Sequence, residues 1–140
     1  MAVMILRPVR RDELSQVLAF WQEAAENDVR PVDTLAAVEA LVDRDPDALI
    51  VAVLDEVVVG TIVAGWDGWR CHLYRLAVAP SHRREGIGGR LIEAAEQRFR
   101  ELGGTRADAM VLDHNTKAHG IWAAHGYYQQ GEWSRWVKPL

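Results

Sequence analysis

Residues 76–91 read Leu76-Ala-Val-Ala-Pro-Ser-His-Arg-Arg-Glu-Gly-Ile-Gly-Gly-Arg-Leu91. A β-rich apolar run stops at Pro80, a polar and basic loop follows, and glycines at 86, 88 and 89 open an amphipathic helix. The first turn of a helix has backbone N–H groups without helical acceptors, and the helix dipole makes that end positive. Gly86, Gly88 and Gly89 remove side chains that would keep an anion from those donors, and Arg83, Arg84 and Arg90 add charge. The combination reads as a phosphate cradle at a helix N-terminus. It is not a P-loop, because no Lys-Ser or Lys-Thr follows the glycines. Nor is it a dinucleotide fingerprint, because Leu91 occupies the place of the third small residue and the turn follows a hairpin.

The helix after the cradle extends from about Gly86 to Leu102, with Ile87, Leu91, Ile92, Ala95 and Phe99 on its buried stripe and Gly103-Gly104 as its stop. Upstream, the spacing predicts strands over Ala48–Leu54, Val57–Trp66 and Trp69–Ala79. Asp67-Gly68 predicts a two-residue hairpin turn that sets Trp66 opposite Trp69. Met4–Val9 reads as a first strand. Asp12 is expected to cap a helix from Glu13 to about Glu26, and a second helix is expected over about Thr34–Val42. Downstream, Arg106–Leu112 reads as a strand, Asn115 caps a short helix up to His125, and Tyr127–Val137 is expected to form the last two strands. Strand and helix patterns alternate, so the class is mixed α/β.

A chain of 140 residues is expected to form one domain, residues 1–140, and to bury roughly 68–70% of its unfolded surface. Hydrophobic residues at 49% and charged residues at 26% exclude a disordered chain. No run approaches ~20 apolar residues, so no membrane partner is expected. Sixteen basic against twenty acidic residues give a net charge of −4, which speaks against a general nucleic-acid binder. One cysteine, Cys71, excludes an intrachain disulfide and a Cys-rich zinc site, and His82, His114 and His125 form no metal pattern. The N-terminus does not read as a signal peptide, so the expected location is cytoplasmic.

Arg83-x-x-Gly86-x-Gly88 resembles the Q/R-x-x-G-x-G/A signature of the GNAT superfamily of acetyl-coenzyme A-dependent N-acetyltransferases. Leu76-Ala-Val-Ala-Pro80 is similar to the family's central strand and its proline exit. Asn115-Thr-Lys-Ala118 and Gly126-Tyr127 are similar to its downstream asparagine, alanine and Gly-aromatic pattern. The resemblance runs from Met4 to the C-terminus. It implies a central mixed, mostly antiparallel sheet flanked by about four helices, with acetyl-CoA as cosubstrate. The amides of Ile87, Gly88, Gly89 and Arg90, after Gly86, would hold the pyrophosphate with Arg83 and Arg84 nearby. Backbone groups of Leu76, Ala77 and Val78 would pair with the pantetheine arm. Asn115, His119 and Trp122, spaced by four and three residues, would share the helical face that meets the pantetheine and thioester.

Two departures from the family bear on catalysis. Trp122 stands where a tyrosine often protonates the leaving thiolate, and an indole cannot do so. His119, one turn earlier, is the substitute candidate. Tyr74 stands where the central strand often carries a carboxylate, and His72 shares its strand parity, so Tyr74 and His72 are the candidate proton-transfer residues. Each has a plainer account: Asn115 as an N-cap, His119 on an exposed helix face, Tyr74 and His72 as cleft lining. The implied function is direct acetyl transfer to the primary amine of a small molecule or peptide. The alternatives are a non-catalytic acyl-CoA-binding module and a protein N-terminal acetyltransferase. The resemblance implies that the first two helices and the loop around Pro31 shape the acceptor site, where Glu23, Glu26, Asp28 and Asp33 predict a mild preference for cationic acceptors. It also implies a homodimer, which the aromatic tail from Trp133 to Val137 could support.

Overall fold

The computed structural model describes residues 3–140. The chain divides into two compact units, one up to Met110 and one over Val111–Leu140. The first unit contains β1 (Met4–Pro8), α1 (Leu14–Ala24), α2 (Leu35–Arg44), β2 (Leu49–Leu54), β3 (Val57–Trp66), β4 (Cys71–Val78), α3 (Ile87–Leu102) and β5 (Ala107–Ala109). The second contains α4 (Thr116–Ala124). The sheet order is β1-β2-β3-β4-β5, with β1 to β4 antiparallel and β5 parallel to β4. This is the mixed, mostly antiparallel sheet with four helices that the sequence leads one to expect.

β2 and β3 are nearly continuous buried runs, the mark of strands covered on both faces. One face packs on α1 and α2, where Leu14, Val17, Trp21, Val38 and Val42 meet Val51, Val53, Val58 and Val63. The other face packs on α3. A Cβ at Gly60 would lie 3.0 Å from both Ile87 and Leu91, so the missing side chain is what lets this helix settle on β3.

Several local expectations are corrected. Asp12 does not cap α1. A 3-10 turn, Arg11–Glu13, leads into the helix, and the Glu13 carboxylate reaches back to accept from Arg10 N at 2.8 Å. The β3–β4 connection is not a two-residue turn, because Trp66 pairs with Cys71 rather than facing Trp69. The Asp67 carboxylate accepts from Trp69 N at 2.8 Å and Arg70 N at 2.6 Å, which stabilises a four-residue loop instead. Trp69 stands exposed under the Arg70 guanidinium, 3.7 Å from its ring centroid. Tyr127–Val137 forms no strand. Its large apolar residues Trp133 and Trp136 are three apart, which in a strand would put them on opposite faces.

The helix ends follow the sequence more closely. Thr34 Oγ1 caps α2 through Ala37 N, and Asn115 Oδ1 caps α4 through Ala118 N. Gly103, at φ +94, stops α3 in the left-handed conformation.

Candidate active site

The site begins with a break in register. Thr61 pairs with Ala77 and Val63 pairs with Tyr74, so two steps of β3 face three of β4. The extra residue makes a bulge around Arg75, whose φ is +51. The fully buried Thr61 hydroxyl holds it in place, donating to the Arg75 carbonyl at 2.9 Å and accepting from Trp21 Nε1 at 2.8 Å. Just before the bulge, β4 loses its other neighbour. β5 pairs with Cys71, His72 and Leu73, and β4 continues to Val78 without a strand on that edge among the described residues. β5, at Ala107–Ala109, is shorter than the expected Arg106–Leu112 strand, and its pairing ends at Leu73. Leu76, Ala77 and Val78 thus lie along a strand edge that no other strand among the described residues pairs with.

Beyond Val78 the chain turns through Pro80–His82 and enters α3. Arg84 (φ +66) and Gly86 (φ +81) are both left-handed, and the first backbone bond of the helix is Arg90 N to the Gly86 carbonyl at 3.1 Å. The amides of Ile87, Gly88 and Gly89 precede that bond. No side chain caps this helix, because the cap position is Gly86, and a Cβ there would meet no atom within 4 Å. These residues fit a diphosphate: successive N–H donors at a positive helix end, with open space in front. Arg83 is placed differently from a simple phosphate ligand. Its Nε donates to the Val78 carbonyl at 3.3 Å and its Nη2 to the Ala24 carbonyl at 3.4 Å, linking the end of β4 to the end of α1. Arg84 and Arg90 are exposed.

His72 and Tyr74 project to one face of β4, with ring centroids 6.3 Å apart. Tyr74 is cross-strand from Val63, which packs under α1 and α2, so this is the α1–α2 face. A Cβ at Gly65 would lie 3.3 Å from the Tyr74 ring, so this glycine lets the ring lie close to β3. His72 Nδ1 is 2.9 Å from Asp108 Oδ1. A carboxylate only accepts, so Nδ1 carries the proton and a neutral His72 presents its lone pair on Nε2. Nε2 is 3.6 Å from Asp67 Oδ2. Asp67 itself is held below the usual carboxylate range, first by the Arg70 and Trp69 amides. Beside this trio lies a cleft of about 130 Å³ lined by Trp69, Arg70, His72, Thr105, Arg106 and Asp108.

Neither Asp67 nor Asp108 was legible as a partner of His72. Asp67 reads as a turn residue, and Asp108 meets His72 only through the parallel β4–β5 pairing. Arg75 also gives no signal in the sequence, although its guanidinium is nearly buried and pairs with Asp33. That pairing corrects the expectation that Asp33 is an open carboxylate of the α1–α2 loop.

Cys71 lies under Gly104, and burial, followed by Asp108 and Asp67, pushes its thiol above the ordinary range. It is a core residue rather than an activated nucleophile.

In the second unit, Asn115 and His119 bracket the first turn of α4, where His119 N donates to the Asn115 carbonyl. The His119 Nε2 lies 3.0 Å from the Leu112 carbonyl, which only accepts, so this nitrogen bears a proton already engaged with backbone. Trp122 is buried with its ring edge-on to Tyr127 at 5.0 Å.

The bulged strand and the glycine-led helix after it both lie within the stretch of chain that a family model recognises. The chain belongs to the acetyltransferase (GNAT) family, whose sequence model matches residues 12–127. It is an acyltransferase, and acetyl transfer to an amine is its reaction class. It is 30% identical over 120 residues to an acetyltransferase of Pectobacterium atrosepticum, covering 85% of this chain and 84% of that relative. Among solved structures it is similar to the aminoglycoside N-acetyltransferase AAC(6')-Iy in complex with CoA, with a TM-score of 0.79 and 21% identity over 100% of this chain and 97% of that one. It is also similar to Ard1 from Thermoplasma volcanium, with a TM-score of 0.79 and 21% identity over 91% and 84% of the two chains.

Proposed function

We propose that the protein transfers the acetyl group of acetyl-CoA directly to a primary amine, without a covalent enzyme intermediate. The observation that carries this reading is the bulge in β4 where β5 has stopped pairing, followed at once by the uncapped N-terminus of α3. The amides of Ile87, Gly88 and Gly89 bind the diphosphate, with Arg83 and Arg84 contributing charge; the Arg90 amide expected to join them is instead engaged by the Gly86 carbonyl, as the first bond of the helix. Leu76, Ala77 and Val78 take the pantetheine arm along their free edge. Acetyl-CoA supplies the activated acyl carbon.

The residues then have a proton to manage. An amine of pKa ~10.4 is mostly protonated at pH 7, a penalty of roughly 4–5 kcal/mol. His72, with Nδ1–H fixed on Asp108, offers Nε2 as the base, directly or through a water, and Tyr74 extends the relay. The amine nitrogen bonds to the acyl carbon, the C–S bond breaks, and the amine's proton passes to this relay. A backbone N–H near Ala77 receives the developing oxyanion. The leaving thiol has a pKa of ~8.5, so departure as thiolate costs only about 2 kcal/mol and the absence of a tyrosine at Trp122 is tolerable. For the second unit taken by itself, the family resemblance assigns Asn115 and Trp122 to the cofactor, with His119 as an alternative donor once its ring leaves the Leu112 carbonyl.

Glu26 and Asp28 on the α1–α2 loop support a cationic acceptor. The resemblance in fold to an aminoglycoside N-acetyltransferase is in keeping with this, and the resemblance to Ard1 keeps peptide amines in the test. The family match runs across both compact units and supports reading them as one transferase domain. No helix among the described residues is long and apolar enough to cross a membrane. A cytoplasmic setting suits a CoA-dependent reaction, and the exposed Trp133, Trp136 and Val137 would serve a homodimer. The test is calorimetry with CoA and acetyl-CoA, then thiol release over a panel of polyamines, aminoglycosides, amino acids and peptides. The expected result is CoA binding and turnover of at least one cationic amine. Binding without turnover on any amine would instead establish the non-catalytic acyl-CoA-binding module, and absence of binding would overturn both.

A further inference from the structure

We propose that Arg75 is a positioning residue for the amine acceptor: from the bulge of the cofactor strand, its guanidinium holds the loop between α1 and α2 in its working shape. This rests on the acetyl-transfer reading above and adds the residue that ties the two substrate regions together.

Residues 25–34 form a connection without regular secondary structure beyond a turn, broken by Pro31, and carry Glu26 and Asp28. Loops of this kind need an anchor to present side chains in a fixed geometry. Arg75 supplies one. Its Nη1 donates to the Glu26 carbonyl at 2.9 Å and to Asn27 Oδ1 at 2.9 Å, and its Nη2 pairs with the Asp33 carboxylate. One planar cation therefore holds the loop near both ends, at 26–27 and at 33. Its carbon centre lies 5.3 Å from the Trp21 ring centroid, adding a cation–π contact to the same α1 residue that donates to Thr61. Asn27 closes the circuit, since its Nδ2 donates to the Trp21 carbonyl at 3.0 Å.

The main chain of the same residue belongs to the other substrate. Arg75 is the left-handed residue of the bulge, its carbonyl is fixed by Thr61, and the next three residues form the open cofactor edge. The Arg75 side chain is 7% exposed, so its contacts with the Glu26 carbonyl and Asp33 are largely shielded from bulk water, where their loss is felt most, while Asn27 holds the surface side of the fork. Lysine cannot reproduce the fork, because an ammonium is a point charge without a planar set of donors. The Asp33 pairing also takes one carboxylate of the loop into an ion pair, so Arg75 sets both the shape and the charge of the loop.

Two measurements on the full chain test this. The first is hydrogen exchange of the free protein for wild type, Arg75→Met, Arg75→Lys and Asn27→Ala. Arg75→Met is expected to speed exchange across residues 26–34 while β2, β3 and α3 keep their protection, with Arg75→Lys and Asn27→Ala intermediate. Unchanged exchange in 26–34 overturns the proposal, as does loss of protection throughout the sheet, which would make Arg75 a general fold residue. The second is steady-state kinetics with an amine the wild type acetylates. Arg75→Met is expected to raise the amine KM about tenfold or more, with partial rescue by lysine, while the acetyl-CoA KM stays within about threefold. Equal rises in both KM values, or no rise in the amine KM, overturn it. If the wild type turns over no amine, the acetyl-transfer reading is what fails, and the exchange result still decides whether Arg75 holds the loop.

Discussion

A Cβ placed on Gly104 would lie 2.3 Å from the Cys71 sulfur and 3.1 Å from the Phe99 carbonyl. Gly104→Ala is therefore expected to cost about 1–3 kcal/mol of stability by overpacking. Chemical denaturation of Gly104→Ala, Cys71→Ala and the double variant checks the cause, because removing the sulfur should make the pair less destabilised than the sum of the singles. On the face of β4 that carries His72 the informative residue is Asp108. Asp108→Asn leaves His72 without a fixed proton on Nδ1 and is expected to lower kcat about tenfold or more while the acetyl-CoA KM holds. Steady-state kinetics, with Asp108→Glu recovering more activity than Asn, would separate orientation of His72 from simple loss of fold. His72 itself could be picked from the sequence because strand parity sets it beside Tyr74. Its partner could not, because a contact 36 residues away exists only once β5 is laid parallel to β4.

At the scale of elements, local chemistry was legible where a side chain acts on its own neighbourhood. Thr34, Asn115, Gly86 and Gly103 end or begin helices as their residue types require. Asp12 and Asp67 show where that logic stops. Asp12 sits in the right place to cap, but Glu13, three residues beyond Arg10, captures that residue's amide and two Arg7 nitrogens at 2.8 Å each. Hydrogen bonding to Arg7 holds the Glu13 carboxyl below its ordinary value, ahead of burial acting in the opposite sense. A lowered carboxyl stabilises the fold above its unfolded pKa, and that contribution disappears as pH falls through the folded value. Glu13→Gln is thus expected to cost about 1–2 kcal/mol near neutrality, with the gap to wild type closing in acid, as denaturation curves over a pH series would show. The β4 bulge had no sequence signature, since an arginine with positive φ is imposed by Thr61 and the loop it holds. The tail after Gly126 forms no strand, because its aromatic residues lack the alternation a strand needs.

For the molecule as a whole, the order of strands and helices followed from apolar periodicity and turn residues. The glycine-led start of α3 followed from Gly86, Gly88 and Gly89. The loop between α1 and α2 was only outlined, as its decisive contacts join residues 26–33 to Arg75, more than forty positions apart. A ligand that binds only the folded chain raises its stability, by ~2.7 kcal/mol at a hundred times Kd. Saturating CoA is therefore expected to raise Tm by roughly 10 °C in a thermal melt. The Trp21–Thr61 bond has a final consequence. Of the indoles, those of Trp69, Trp133 and Trp136 are open to solvent, whereas Trp21 is sealed, tethered through its N–H and faced by a cation. With the outer indoles silenced by a water-soluble quencher, the ultraviolet emission that persists comes largely from shielded rings. Its Trp21 part originates beside the bulge, giving the protein a built-in optical reporter of that bend and of the loop Arg75 holds.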